Sequence, residues 1–257
     1  MNIATATPAR IKVFWQPGCS SCLRTKEFLT KQGIDFESID VHNDPDGMAE
    51  LHALGARSIP VVALAGKFTL CQSLNDVVKF LDLKTKLMDP LPPAQLVAKL
   101  DRVLASVASN LMQFTGPQLR EVFRNRNRTP AGLGFHAFRL TEMGLDAARQ
   151  IDLMFEGFND LPADHWQAAD IVRFGEKIRA RLHAWWDAEP DRTLAYAVPT
   201  YYGRRPMHEI LERTAWHAAQ HARQIMLMLE SHGAVPALPL TADDLAGLPV
   251  PDDVWDR

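Results

Sequence analysis

Cysteine is scarce in this chain, three among 257 residues. That is too few for a secreted disulfide framework, and with two of the three in one C-x-x-C it suits a reducing, cytoplasmic compartment. No apolar run reaches the roughly 18 residues that a membrane span requires, because charges, glycine or proline interrupt every stretch. The opening MNIATATPARIKVF lacks the long apolar stretch of a signal peptide, so none is expected. Charge of one sign is lacking too. The formal net charge of −3 is too mild to imply nucleic acid or an anionic membrane as partner. What is present is apolar material, 47% against 23% charged residues, enough for packed cores in two domains.

Residues 11–15, IKVFW, form a β-type run ending at the turn signal Pro17-Gly18. A helix is predicted from about Ser21 to Lys31, then a strand over 36–41 and a short helix ending near Gly55. Strands over 59–64 and 68–71 follow, then a helix over 75–83. That β-α-β-α-β-β-α order over 9–83 describes a small mixed sheet with helices on its faces. Asp89-Pro90-Leu91-Pro92-Pro93 stops regular structure and places a Pro-rich linker over 84–93. Beyond it, segments over about 93–114, 130–156, 164–188 and 206–231 carry helical periodicity. They read as an up-and-down-type four-helix bundle over 94–232, whose long connection Pro190–Pro206 forms a small hairpin or an extended crossover. The Pro-rich, acidic tail over 233–257 is expected to lie along the surface or fray. The fold class is therefore an α+β domain followed by an all-α one.

Cys19-Ser20-Ser21-Cys22 sits where the first strand meets the first helix. Unpaired N–H groups at a helix N-terminus stabilise a thiolate, which makes Cys19 the attacking sulfur and Cys22 the resolving one. Two alternatives stand beside this. The pair is a buried structural one, or it is half of a zinc site completed by Cys71 and one of His42 or His52. Cys71 itself reads as a small packed hydrophobe. Ile59-Pro60 opens an apolar strand with a proline, which costs a ladder hydrogen bond unless the turn uses it, as a cis bond would.

The order strand, C-x-x-C, helix, then Ile-Pro-Val resembles the thioredoxin superfamily. WQPGCSSC followed by LRTKEFLTKQGIDFESIDV resembles the glutaredoxins within it. The resemblance implies thiol–disulfide exchange, with Cys19 as nucleophile, Cys22 as resolving thiol and Pro60 as the cis-proline beside the substrate. The backbone of Ile59 would pair with the bound thiol, and glutathione or a similar thiol is the implied cosubstrate. Gln16 stands where many glutaredoxins carry lysine, and Thr69-Leu70 where they carry Gly-Gly.

In the last helix, Ile210, Thr214, His217, His221, Gln224 or Ile225, and Met228 fall along one stripe. His136 lies on a second-helix stripe with Leu140, Met143, Ala147 and Met154. Inward imidazoles are costly unless their lone pairs are used, by a divalent metal or by backbone and water. His165, His183 and His208 read as surface or helix-terminal residues. EILERTAWHAAQHARQI resembles the closing helix of the DinB-like bundle family, and GLGFHAFRLTE its second helix. That family includes metal-dependent thiol transferases, so the resemblance implies His136, His217 and His221 as ligands to zinc or nickel. It also implies pairing of two copies as a homodimer.

Arg120, Arg124, Arg126 and Arg128 form a solvated loop or a clamp for the carboxylate of a thiol such as glutathione. Tyr201, Tyr202, Arg204 and Arg205 would line the same mouth, with Glu142 and Tyr202 as trial second-sphere groups. Two functions remain. The first is an enzyme acting on a low-molecular-weight thiol or mixed disulfide. The second is a redox-responsive protein that binds a metal or small ligand without turnover.

Overall fold

In a computed structural model, the chain divides into two compact units. One runs to Met88 and also holds Asp256; the other runs from Asp89 to Trp255. The structure describes residues 10–123 and 128–256.

The first unit is built on alternation. Strands β1 (Lys12–Trp15), β2 (Glu37–Asp40), β3 (Val61–Leu64) and β4 (Lys67–Leu70) form a sheet in the order β2-β1-β3-β4. The β1–β2 pair is parallel; the β1–β3 and β3–β4 pairs are antiparallel. Successive strand residues point to opposite faces. Val13 and its partner Val62 pack with Phe28 and Leu29 of helix α1 (Ser20–Lys31) and with Leu74 and Val77 of α3 (Leu74–Phe80). Phe14 and its partner Val61 face the other way, with Ile39, Ala63 and Leu51 of α2 (Pro45–Ala53). This is the expected mixed sheet with helices on both faces. The antiparallel register of Phe14 with Val61 also brings the end of β1, which leads to Cys19, to the same end of the sheet as Pro60.

No helix or strand forms over 83–92, where Pro90 and Pro92 deny the backbone donors and helical dihedrals that continuation needs. The second unit is helix-rich. Its long helices are α4 (Pro93–Leu111), α6 (Pro130–Ala148), α7 (Ala168–Ala188) and α8 (Met207–Ser231), with α5 (Gly116–Leu119) as a single turn between α4 and α6. Leu96, Leu100, Val103, Leu104, Val107 and Leu111 form the buried stripe of α4. Each such side chain contributes about 2 kcal/mol by leaving water. Helices α4 and α6 each pack against both α7 and α8. Among the described residues, no helix is long and apolar enough to cross a membrane.

Two differences from the sequence reading matter. Periodicity carried the second helix to residue 156, but α6 ends at Ala148. Gln150 adopts a left-handed conformation (φ 64°), with N–H bonds from Gln150 to Ala147 O and from Ile151 to Asp146 O. That is a Schellman stop written without glycine or proline, so the sequence carried no punctuation for it. Met154, placed on the His136 stripe by periodicity, therefore lies beyond the helix and is 51% exposed. The chain instead runs through Leu153, which bridges to Thr200, into a 3-10 turn over Phe155–Asn159. The connection before α8 is a hairpin, β5 (Ala197–Val198) paired with β6 (Arg205–Pro206). The tail, rather than fraying, buries Leu240 and Leu248 and forms a short helix, α9 (Ala242–Leu245).

Three glycines set how closely the helices approach. A Cβ at Gly134 of α6 would sit 2.2 Å from Leu111 of α4, and one at Gly144 would sit 3.0 Å from Thr214 of α8. A Cβ at Gly175 of α7 would lie 2.3 Å from the ring of Phe138, which is fully buried. Gly175→Ala adds about 1 kcal/mol of helix propensity but forces that ring aside, so a net loss of about 1–2 kcal/mol is expected. Urea unfolding followed by circular dichroism checks it; a variant as stable as the parent would show that the α6–α7 contact is loose.

Candidate functional site

The cysteine pair sits at the start of α1. Gly18, in a left-handed conformation (φ 78°), turns the chain out of β1, and Cys19 becomes the N-cap residue. Its Sγ accepts a hydrogen bond from Cys22 N at 3.2 Å, the kind of contact that stabilises negative charge on a cap sulfur. Cys19 is partly exposed and Cys22 is 1% exposed, and the two are joined in a disulfide. An accessible first sulfur and a sheltered second one are what an attacking and a resolving thiol require. The Ile59–Pro60 bond is cis, and Ile59 O accepts from the side chain of Gln72 at 3.2 Å. Trp15, just before the turn, carries the ammonium of Lys26 3.6 Å above its ring.

Cys71 is not part of this chemistry. It lies in the core beside Val13, Val62 and Val77, and burial pushes its thiol far up. Among the described residues, Cys71, His42 and His52 join no cluster of three metal-ligating side chains. The half-zinc-site alternative thus finds no partner ligands there.

The second unit does hold such a cluster. His136 of α6 meets His217 and His221 of α8, and one donor atom from each ring lies within 4.8 Å of the others. The ring centroids are 5.5, 5.0 and 4.7 Å apart for His136–His217, His136–His221 and His217–His221. All three side chains are buried. Burial depresses each pKa, His136 and His217 well below the ordinary imidazole value and His221 down to about 3, so the rings are neutral at pH 7. Nδ1 of His217 and Nε2 of His221 are buried with no hydrogen-bond partner. Unpartnered nitrogens in a dry core cost free energy unless a ligand takes their lone pairs. Neutral imidazole nitrogens suit zinc, nickel and similar divalent ions, so this donor set fits a metal.

The surroundings are cationic. Arg128 and Arg213 are the charged side chains acting on both His136 and His217. Arg213 is 7% exposed, with its guanidinium 4.9 Å over Phe158 and 5.8 Å over Tyr202. Periodicity did not single it out, although it lies four residues before His217; a charge on a core-facing stripe was the available signal. Tyr202 Oη is buried without a hydrogen-bond partner, and burial pushes its pKa up to about 12.

The other named groups are engaged elsewhere. Arg120 donates to Trp166 O, and Arg204 to Gln150 and Ala197 O. Arg205 lies 4.0 Å from Glu209. Arg124 and Arg126 lie outside the described residues. Glu142 is held by Arg139 and Arg181 in an α6–α7 ion-pair network, which leaves it committed to structure. His208 bonds Leu91 O, and His183 pairs with Asp101.

Comparison with known proteins bears on the first unit. Residues 11–69 match the family model for glutaredoxin. The Gene 56 protein of Mycobacterium phage L5 is 40% identical over 55 residues, 21% of this chain and 53% of the phage protein. The chain thus spans about half the length of that relative. An uncharacterized glutaredoxin-like 8.6 kDa protein in the rubredoxin operon of Clostridium pasteurianum is 29% identical over 73 residues, 28% of this chain and 97% of that protein. Among solved structures, a mutant of the thioredoxin-like protein BC3987 shares 26% identity, with a TM-score of 0.28, covering 29% of this chain and 97% of that one. The first unit is similar to glutaredoxins over residues 11–69, which run from β1 into β4 of its mixed sheet.

The buried histidines predict a pH dependence for chelator-treated protein. A folded pKa below the unfolded value of about 6.5 means that only the unfolded chain takes up protons as pH falls. Stability is therefore full above about pH 6.5 and declines below it, until each folded pKa is reached. His221 alone implies a loss of about 2 kcal/mol between pH 7.5 and pH 5. Urea unfolding across that range tests this, and a flat profile would contradict neutral burial of the rings.

Proposed function

We propose that this protein is a thiol–disulfide oxidoreductase whose second unit is a DinB-like four-helix bundle holding a divalent metal for a low-molecular-weight thiol. The observation that carries the redox half is Cys19 at the α1 N-cap, partly exposed and bonded to a sheltered Cys22. In the reduced form, the Cys19 thiolate attacks one sulfur of a mixed disulfide, forming a Cys19 mixed disulfide and expelling the other sulfur as thiolate. The Cys22 thiolate then attacks Cys19, forming the Cys19–Cys22 disulfide and releasing the second thiol. Two electrons pass to the substrate, and an external thiol such as glutathione returns them. The substrate lies along the Ile59-Pro60 segment, at the sheet end from which Cys19 projects.

Support for the metal half comes from the three converging imidazoles and their unpartnered nitrogens. His136, His217 and His221 would hold zinc or nickel. A metal bound there stabilises the thiolate form of a coordinated thiol. This chain's own part is to keep water out, with Phe158 beside the His136 ring, Tyr201 against Phe158 and Tyr202 against Tyr201, and to favour anions through Arg128 and Arg213. A neutral ligand set with two nearby guanidinium groups leaves positive charge that an anionic thiolate or carboxylate offsets. The engagement of Glu142 by two arginines favours one alternative, a redox-responsive protein that binds such a ligand without turnover.

Reduction of a glutathione mixed disulfide by the purified protein tests the first half. Wild type is expected to turn it over and Cys19→Ser to fall by at least about 100-fold, the nucleophile being lost. Equal inertness of both would sink the exchange reading. For the second half, metal analysis should find about one divalent ion per chain in wild type and a near-complete loss in His217→Ala/His221→Ala. Unchanged metal content would remove the ligand assignment.

A further inference from the structure

We propose that the C-terminal segment Pro251–Val254 is a strap that fixes the tautomer of His221 through Gln224, aiming Nε2 of that ring into the triad as a donor. The donor role rests on the metal reading above; the tautomer does not.

A backbone carbonyl can only accept hydrogen bonds. Val254 O receives Nε2 of Gln220 at 2.8 Å and Nε2 of Gln224 at 3.1 Å. With its NH2 group committed to Val254, the Gln224 amide must present Oε1 on its other side. That oxygen lies 2.7 Å from Nδ1 of His221. Amide oxygen has no proton to give, so Nδ1 must carry it. A neutral imidazole protonated on Nδ1 keeps its lone pair on Nε2, the atom left buried without a hydrogen-bond partner. A glutamine without the strap is free to flip its amide and offer NH2 to the ring, which would move the proton to Nε2 and block it as a ligand.

The strap is itself tied down. Arg223 donates to Pro251 O at 2.6 Å and to Asp252 O at 2.8 Å, and Gln220 donates to Asp253 O at 3.0 Å. Arg223 also bonds Oε1 of Gln220 at 2.7 Å, which sets the orientation of that amide. Trp255 stacks on Phe123 with centroids 5.5 Å apart. Gln220 and Gln224 are 0% and 2% exposed, so water does not compete for these bonds. Gln224 is thus a positioning residue, in the manner of the outer-shell groups that orient metal-bound histidines.

The test uses full-length, chelator-stripped protein with 15N-labelled histidine. Long-range proton–nitrogen spectra at pH 7.5 should show His221 protonated on Nδ1 and bare on Nε2. Gln224→Leu should yield a mixture of tautomers. Gln224→Glu, whose carboxylate accepts from Nδ1 but gives nothing to Val254, should restore the wild-type pattern. Gln220→Met/Arg223→Met releases the strap while leaving Gln224 and the histidines in place, and should also yield a mixture. Zinc titrated against a chromophoric chelator should bind about 10–100-fold more weakly to Gln224→Leu and about tenfold more weakly to the strap variant. Gln224→Glu should stay close to wild type. Should Gln224→Leu fail to fold, the glutamate and strap variants carry the test. A wild-type His221 protonated on Nε2, or a strap variant with an unaltered tautomer and zinc affinity, would overturn the proposal. If wild type binds no zinc while the tautomers follow this pattern, the metal reading fails and the strap assignment stands.

Discussion

Desolvation of three imidazoles is the constraint around which the second unit is organised. A core of leucine, valine and phenylalanine gains stability by excluding water, and the same exclusion leaves His136, His217 and His221 with nitrogens that water cannot reach. Their neutrality follows from burial, reinforced by Arg128 and Arg213. The helix spacing that brings the rings together depends on residues with little or no side chain. Gly144 shares a face of α6 with His136 and lets α8 pass at Thr214, one turn from His217. Packing and charge state are therefore one consequence seen at two levels.

The first unit solves a different problem, how to hold a disulfide-bonded sulfur partly in water at the end of a packed strand. Strand alternation sends Val13 and Phe14 to opposite cores, so β1 is gripped on both faces and its end is rigid. The left-handed Gly18 then delivers Cys19 to the first unpaired amides of α1. Rigidity comes from the sheet and polarity from the helix end, and the two meet at one residue.

Much of this was legible in the chain. The C-x-x-C after a strand, the Ile-Pro opening of β3 and the H-x-x-x-H stripe of α8 are local patterns, because a strand repeats every two residues and a helix about every 3.6. Local stops written in glycine or proline were legible as well, such as the linker before α4. The end of α6 was not, because Gln150 takes the left-handed turn that glycine usually marks. Met154 was misplaced for that reason alone. Glu142 and the arginines looked available in sequence, and ion pairing across α6 and α7 decided otherwise for Glu142.

By itself the sequence determined which residue types stand at which helical and strand positions, and hence the thiol pair, the histidine stripe and the two-part composition. Only the tertiary structure decided how closely the expected His136 of α6 approaches His217 and His221 of α8, that Arg213 lies buried beside them, and that a distant tail reaches Gln224. The physical reason is range. Backbone periodicity is set by neighbours a few residues apart. Tautomer, charge and metal fitness depend on atoms brought together from positions such as 136, 221 and 254, whose separation along the chain carries no signal of their contact.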